Sequence, residues 1–322
     1  MGSHFNRKDL IYTVYQEKSI SKAAQKLFVS QPSLSIMIRK IEEEVGVPLF
    51  DRTSKPIRLT EAGMEYIKAT EAILHIEKAF DSYINAANEL MTGSLTVGGN
   101  QLLSSLVLPS YISRFISRYP NIQLQMEDNN SLTLENMISS GQLDLVIDNH
   151  KLDGEIFEQR LWRTEHLLLA VPAEFACNRG LEEYQLRTED ILSGAHLSPE
   201  RKPVALDAFQ SVPFVSMTKN NDTRRCSDEI MKQAGITPNT ILELDRLATL
   251  YNFIEIGTAA SVVSDTLVRH IRHHDGNVVF YCLASPHARR DIYVSYKKNR
   301  YYSKAMQAFM ELLFDEQETA FG

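Results

Sequence analysis

The residues able to do chemistry fall into two groups. The first is histidine. Of nine, His75, His150, His166, His196, His287 and the run His270-x-x-His273-His274 lie beyond the N-terminus. Only His270 and His274 sit one helical turn apart, as two ligands on a helix would. They run into Asp275-Gly276-Asn277, which is turn chemistry, so a solvated charged surface is expected and no metal site is assigned. No G-x-S-x-G, P-loop or H-E-x-x-H pattern occurs, so no catalytic residue is assigned. Glu42-Glu43-Glu44 adjoins Arg39 and Lys40 and reads as a solvated helix face. Cys177, Cys226 and Cys282 are odd in number and lack C-x-x-C spacing, so free thiols in a reducing compartment are expected. The second group is cationic and hydroxylic: Ser33, Ser35, Arg39, Arg52, Lys55 and Arg58, all within the first 60 residues. Such groups hold phosphates and read base edges. The chemistry to expect is recognition, with no cofactor.

Charge supports this only once divided. The chain of 322 residues has 34 Lys+Arg against 41 Asp+Glu, a net charge of −7, which taken whole argues against nucleic acid. Residues 1–60 hold ten Lys/Arg and six Asp/Glu, a surplus of +4, which leaves −11 for the rest. A basic module on an acidic body points to nucleic acid. No run of 18 apolar residues occurs, and residues 1–9 lack the apolar stretch of a signal peptide, so no membrane partner and a cytoplasmic location are expected. Met1-Gly2-Ser3-His4 is left out of the fold reading.

The basic module must be positioned by helices. Leu10, Ile11 and Val14 predict a helix over about 6–18. Ser21 is placed to cap a second, 22–27, and Ser30 a third, 31–45, with Pro32 in its first turn and Gly46 at its stop. On a helical wheel Leu34, Ile38, Ile41 and Val45 share one face, with Pro32, Ser33, Ile36, Arg39 and Lys40 opposite. Two helices across a three-residue turn, the second basic outside, is helix-turn-helix geometry. Residues 47–60 read as a β-wing carrying Arg52, Lys55 and Arg58.

From Ala62, apolar residues recur as Tyr66, Ala69, Ile73, Ile76, Phe80, Tyr83, Ala87 and Leu90, spaced alternately by four and three. This is an a/d seam over four heptads, with Thr60 as cap and Gly93 as stop. One narrow stripe needs a partner helix, so a homodimer is expected.

Beyond Gly93 strands and helices alternate. Strands are expected at 95–98, 122–127, 143–147, 214–217, 240–244 and 260–264, and helices at 102–118 (kinked or restarted at Pro109), 133–139, 222–234, 247–256 and 301–314. The repeated plan predicts two similar lobes on parallel sheets, with the chain crossing near 160–165 and returning near 284–290. Ligands in such folds bind at the carboxyl ends of strands. The polar segments Gly98-Gly99-Asn100-Gln101-Leu102, Asp148-Asn149, Thr218 to Thr223 and Gly257-Thr258-Ala259 are the candidates for an interlobe cleft. The first is too short for a dinucleotide fingerprint.

Residues 21–35, from Ser21-Lys22-Ala23-Ala24 to Ser33-Leu34-Ser35, resemble the N-terminal signature of LysR-type transcriptional regulators. The match continues from Ile38 through Phe50-Asp51-Arg52 and closes on Leu59-Thr60-Glu61-Ala62-Gly63. The body resembles the effector domain of that family, with weaker motifs. The resemblance implies a mixed α+β and α/β architecture. A winged helix-turn-helix (5–60) would lead through a linker helix (61–92) to a two-lobe, periplasmic-binding-protein-like effector domain (93–316). Lobe I would be 93–163 with 288–316, and lobe II 164–287. It implies operator contact by Gln31, Pro32, Ser33, Ser35, Ile36 and Arg39 and by the wing, with double-stranded operator DNA as partner. Dimers or tetramers are implied, and RNA polymerase is admitted as a further partner. By position it puts a small-molecule effector against Asn100, Gln101, Leu102, Asn149, Thr218, Asn220 and Thr258. Relatives often carry Ser or Thr where Asn100 and Leu102 stand, so the effector class does not carry across. The cysteine pair of the peroxide-sensing branch would fall at Asp222 and Met231, and neither is cysteine. The other reading open to the sequence is a cytoplasmic solute-binding protein or enzyme on the same two-lobe fold.

Overall fold

The computed structural model describes residues 5, 7–53, 56–87, 93–219, 221–271, 276–298 and 300–315, with side chains undescribed at 75, 78, 79 and 81–87. The chain divides into two compact units, one ending at Glu89 and the other holding almost all of the chain from Leu90 onward.

The first unit contains α1 (Lys8–Glu17), α2 (Ile20–Lys26), α3 (Gln31–Val45), β1 (Phe50–Asp51), β2 (Arg58–Leu59) and α4 (Glu61–Ala87). The cap of α2 is Ser19, whose hydroxyl accepts from the Lys22 amide, rather than Ser21; the helix starts two residues earlier than its sequence suggests. Ser30 caps α3 and Gly46 ends it in the left-handed region, both as expected. Ile11, Val14, Ala23, Ala24, Leu34, Ile38 and Ile41 make the buried core. The two alanines let helices approach closely. Two-residue strands pair Phe50 with Leu59 and Asp51 with Arg58 to form the wing. Thr60 caps α4 by accepting from the Gly63 amide and ties it to the wing by donating to the Pro48 carbonyl. A Cβ on Gly63 would lie 2.0 Å from the Leu49 carbonyl oxygen, so no other residue fits there without backbone movement.

The second unit opens with β3 (Gly93–Gly99), a π-helical turn (Leu103–Val107), α5 (Leu108–Arg118), β4 (Ile122–Asp128), α6 (Ser131–Ser140) and β5 (Leu145–Asp148). Pro109 restarts the helix in its first turn, where its missing N–H costs nothing. Then follow β6 (Phe157–Pro172), β7 (Gln185–Leu186), α7 (Thr188–Leu192), β8 (Pro213–Met217), α8 (Asp222–Gln233), β9 (Asn239–Leu244), α9 (Leu247–Glu255), β10 (Ser261–Ser264), α10 (Asp265–His270), β11 (Val278–Cys282), β12 (Arg289–Lys297) and α11 (Lys304–Asp315).

The sheets are mixed, not parallel. Strand β3 runs parallel to β4 and β5, and β8 parallel to β9. Strand β12 runs antiparallel to both β5 and β6, while β10 and β11 run antiparallel to β6. The cause is connectivity: the chain leaves lobe I along β6 and returns along β12, so these two strands must point in opposite directions. Their ladder runs from Arg289–His166 to Lys297–Phe157 and bulges at Ile292/Tyr293. Opposite the bulge, Trp162 is buried and donates its indole N–H to the Leu313 carbonyl, which docks α11 on lobe I. Both faces of the lobe I sheet are covered: Leu95, Val97, Phe115 and Phe309 pack on one side, and Leu134, Ile138 and Phe157 on the other. Lobe II repeats this with Leu250, Ile254 and Leu267 against Phe209, Ile230 and Tyr281.

Candidate functional site

Two surfaces concern function, one in each unit. In the first, the N-terminal half of α3 presents Gln31, Pro32, Ser33, Ile36 and Arg39 to solvent, with Ser35 half-buried. Ile36 is 67 % exposed, directly away from the core. A helix whose buried stripe is fixed by Leu34, Ile38 and Ile41 has no freedom to turn this face elsewhere. Ser33 exchanges a 2.7 Å hydrogen bond with the cap hydroxyl of Ser30, so it is partly committed to the helix start.

Phe28, in the turn before α3, takes a left-handed φ of 55° that leaves its ring 95 % exposed beside this face. Sequence reading assigned it no role; its position in a three-residue turn was the available signal. The wing differs from expectation in one respect. Arg52 is exposed, yet its guanidinium pairs with Glu42 at 2.6 Å. Glu42 also accepts the Leu49 and Phe50 amides, so it fastens the wing to α3 rather than lying idle on a solvated face. Arg58 is exposed on β2, and Lys55 lies outside the described residues.

Along α4 the expected seam splits. Tyr66 is buried and stacks on Phe5 with ring centroids 4.9 Å apart, and Ala62 packs on the same core, so the first heptad serves the head itself. Ala69 and Ile73 are half-buried. Ile76 and Phe80 are 69 % and 62 % exposed. The Tyr83 and Ala87 side chains and Leu90 lie outside the described residues, and Gly93, expected as the helix stop, opens β3.

In the second unit a cleft of about 400 Å³ opens between the lobes. Its lining includes Asn100, Gln101, Leu102, Asn149 and Thr218 of the expected set, together with Asp128, Asp148, Asp222, Asp245, Arg246 and Arg290. Asn220 lies outside the described residues, and Lys219 is exposed and not part of the lining. Thr258 does not join the cleft. It precedes β10 at the end where Ala260 bridges Phe214, whereas Thr218 follows β8 at the opposite end. Residues before a strand and residues after its parallel neighbour cannot meet. Leu102 faces the cleft but packs into the core of lobe II, which explains an aliphatic side chain there.

The floor of the cleft is a relay of hydrogen bonds. The Asn100 amide donates to Asp148 at 2.8 Å and to the Asn149 oxygen at 3.0 Å, while its own oxygen caps the Leu103 amide. Asn149 donates to Glu165 at 2.9 Å, and Glu165 meets Arg290 at 2.5 Å. Arg290 continues to Asp222 at 2.9 Å and to the Thr223 hydroxyl at 3.1 Å. Arg225 closes the chain on the other oxygen of Asp222. Glu165 and Arg290 are a direct cross-strand pair on β6 and β12, so the relay passes through the two strands that join the lobes. Burial opposes the charge on Asp222, but Arg290 and Arg225 more than offset it and hold the carboxyl below its usual range. Burial likewise opposes charge on Arg290, and Glu165 and Asp222 keep it fully protonated. Arg290 Nε has no hydrogen-bond partner among the described residues. Sequence reading found no role for Arg290 or Glu165, because each stands inside a strand and no local pattern pairs residues so far apart. Gly98 and Gly99 bring β3 close enough to present Asn100: a Cβ on Gly98 would lie 2.5 Å from Leu143.

His270 Nδ1 lies 2.8 Å from the Thr266 carbonyl oxygen, and His273 and His274 lie outside the described residues.

A winged head, a long helix and a cleft between two α/β lobes together define a DNA-binding regulator of the effector-responsive kind. The family model for the LysR substrate binding domain matches residues 88–318, and that for the bacterial regulatory helix-turn-helix protein of the lysR family matches residues 6–64. The chain belongs to the LysR family of transcriptional regulators. It is 28 % identical over 303 residues to the "Uncharacterized HTH-type transcriptional regulator YcgK" of Bacillus subtilis, covering 93 % of this chain and 90 % of that one. It is 26 % identical to a "Probable RuBisCO transcriptional regulator" of Trichormus variabilis, covering 94 % and 85 %. Among solved structures it resembles a full-length OxyR variant from Pseudomonas aeruginosa, with TM-score 0.67 and 20 % identity over 95 % and 91 % of the two chains. It also resembles CbnR in complex with its target DNA, with TM-score 0.62 and 18 % identity over 94 % and 96 %. Among the described residues no helix is long and apolar enough to cross a membrane.

Proposed function

We propose that the chain binds operator DNA as a homodimer, or a dimer of dimers, through the outer face of α3. In this reading a small polar effector held between the lobes changes the arrangement of the heads. The observation that carries it is the exposed Gln31-Ser33-Ile36-Arg39 face on a helix locked in place by its buried stripe. Arg39 suits a guanine edge and Ile36 a thymine methyl, while Arg58 suits phosphate. The cleft's carboxylates, amides and two arginines favour an effector rich in both donors and acceptors over an apolar one. Binding would shift the assembly only if one arrangement of the lobes binds it better. The cytoplasm is the compartment this activity requires, and RNA polymerase is the further partner that family membership allows.

Arg39→Ala is expected to weaken operator binding by about 10- to 100-fold, the range of one lost bidentate base contact, with a smaller loss on random duplex. Gel shifts on both DNAs at one salt concentration measure it. Equal losses on the two would place Arg39 on phosphate instead, and the absence of any shift by the wild-type chain at low salt would overturn the reading.

A further inference from the structure

His166, His196 and Asp265 converge inside lobe II, although His166 and Asp265 stand 99 residues apart in the chain. Strand alternation places Glu165 in the relay on one face of β6 and His166 on the other. The Asp265 carboxylate is held by the His166 backbone N–H at 2.9 Å on one oxygen. Its second oxygen lies 3.1 Å from His196 Nε2 and 3.6 Å from His166 Nδ1. The His196 and Asp265 side chains are 1 % and 6 % exposed. His166 Nδ1 is buried with no hydrogen-bond partner.

The difficulty is one of proton count. Both nitrogens of His196 face oxygen: Nδ1 lies 3.3 Å from the Asp190 carbonyl, and Nε2 faces Asp265. A neutral imidazole has one N–H to give. If Nδ1 donates to Asp190, the Nε2 lone pair confronts the lone pairs of Asp265, and His166 Nδ1 adds another. Buried lone pairs around one point are costly unless a cation lies among them. Among the described residues no Lys or Arg pairs with Asp265.

We propose that His166 Nδ1, His196 Nε2 and Asp265 Oδ2 form a binding site for a divalent transition metal, zinc being the best match. Zinc bonds of about 2.0–2.1 Å put tetrahedral ligand atoms roughly 3.3 Å apart. The observed spacings of 3.1 and 3.6 Å bracket that value, and all three atoms lie within 4.8 Å of one another. Two histidines and a carboxylate leave a fourth tetrahedral position for water. The Asp190 carbonyl on Nδ1 is the outer partner that orients a ligating histidine. The ion ties β6 and the turn at His196 to the start of α10, and α10 packs on the π-helical turn that follows Asn100. Metal loading therefore stiffens the wall of the lobe against which the cleft closes.

The test uses the full chain stripped by chelator and then titrated with zinc. Calorimetry and metal analysis after gel filtration should show one zinc per chain, with a rise in melting temperature. Cobalt in its place should give the visible absorption of a tetrahedral site. Asp265→Asn and His166→Gln should each weaken zinc binding by more than about 100-fold, beyond what losing an outer partner costs. His150→Gln, a surface histidine paired with Glu135, should not. Failure of the wild type to retain zinc, or zinc retained by His166→Gln, overturns the proposal. The second variant carries the test even if Asp265→Asn does not fold, because the His166 side chain is partly exposed. Acid-dependent melting without zinc uptake would mean that a proton holds the three groups together, and it overturns the metal site equally.

Discussion

Arg290→Met is expected to cost the effector domain about 3–5 kcal/mol, the penalty for removing one partner of a buried charge network. The side chains of Arg290 and Glu165 are 7 % and 1 % exposed, so water cannot replace the lost guanidinium. Among the described residues, Glu165 would keep the amide of Asn149 as donor, and Asp222 would keep Arg225 and the Cys226 thiol at 3.9 Å. In a domain of this size the loss lowers the melting temperature by on the order of 10 °C. Arg289→Met supplies the control: it sits next along the same strand, is 66 % exposed in its side chain and pairs only at 3.8 Å, so it should change stability by no more than about 0.5 kcal/mol. Adding Glu165→Leu to Arg290→Met should recover part of the loss, because no charge is then stranded on β6. The pH dependence has a definite sign. Asp222 has a lowered value in the fold, so its contribution is complete above the usual carboxylate range and fades as pH falls through the lowered value. Arg290→Met should flatten that acid-side slope. Thermal and urea melts across pH measure both effects, and equal, small losses in the two arginine variants would remove Arg290 from the centre of the domain.

Ile76→Glu is expected to convert dimers to monomers and, with that, to reduce operator affinity by about 10²- to 10⁴-fold, the gain that linking two heads supplies. Ile76 and Phe80 are large apolar side chains one turn apart on α4 and more than half exposed within the chain. A glutamate there meets solvent in the monomer, so the chain's own stability should move by less than about 0.5 kcal/mol. In a paired seam it meets its symmetric copy, and two like charges would be buried together. Light scattering gives the mass, and anisotropy with labelled operator gives the affinity. An unchanged dimer would place the interface elsewhere. Tyr66→Glu should behave differently: that ring is in the core of the head, so the variant should lose head stability before it loses its partner.

The head was legible because its signals are local. A cap at Ser30, a proline at the helix start, a stop at Gly46 and apolar residues at 34, 38 and 41 act within one helix, and they orient Ile36 and Arg39 before any tertiary contact exists. The α2 cap was displaced to Ser19 because Ser19 and Ser21 carry the same chemistry two residues apart, and only the backbone direction separates them. The mixed sheets were not legible. Strand alternation says which face a residue takes but not the direction of its neighbour, and the two strands that join the lobes are set by where the chain must return. Thr258 was misplaced for the same reason: a polar turn looks alike at either end of a sheet.

By itself the sequence determined the kind of protein: a basic reading head, a long helix with an apolar stripe and an acidic two-lobe body, since these follow from charge, periodicity and capping along short stretches. Only the tertiary structure decided what those parts are fastened with. Glu42 on the wing, Arg290 between Glu165 and Asp222, and His166 beside His196 and Asp265 are pairings across many residues of chain. Each depends on a strand register or a helix position that exists only after the core has closed, and a charge or an imidazole in sequence carries no mark of the partner that folding will bring to it.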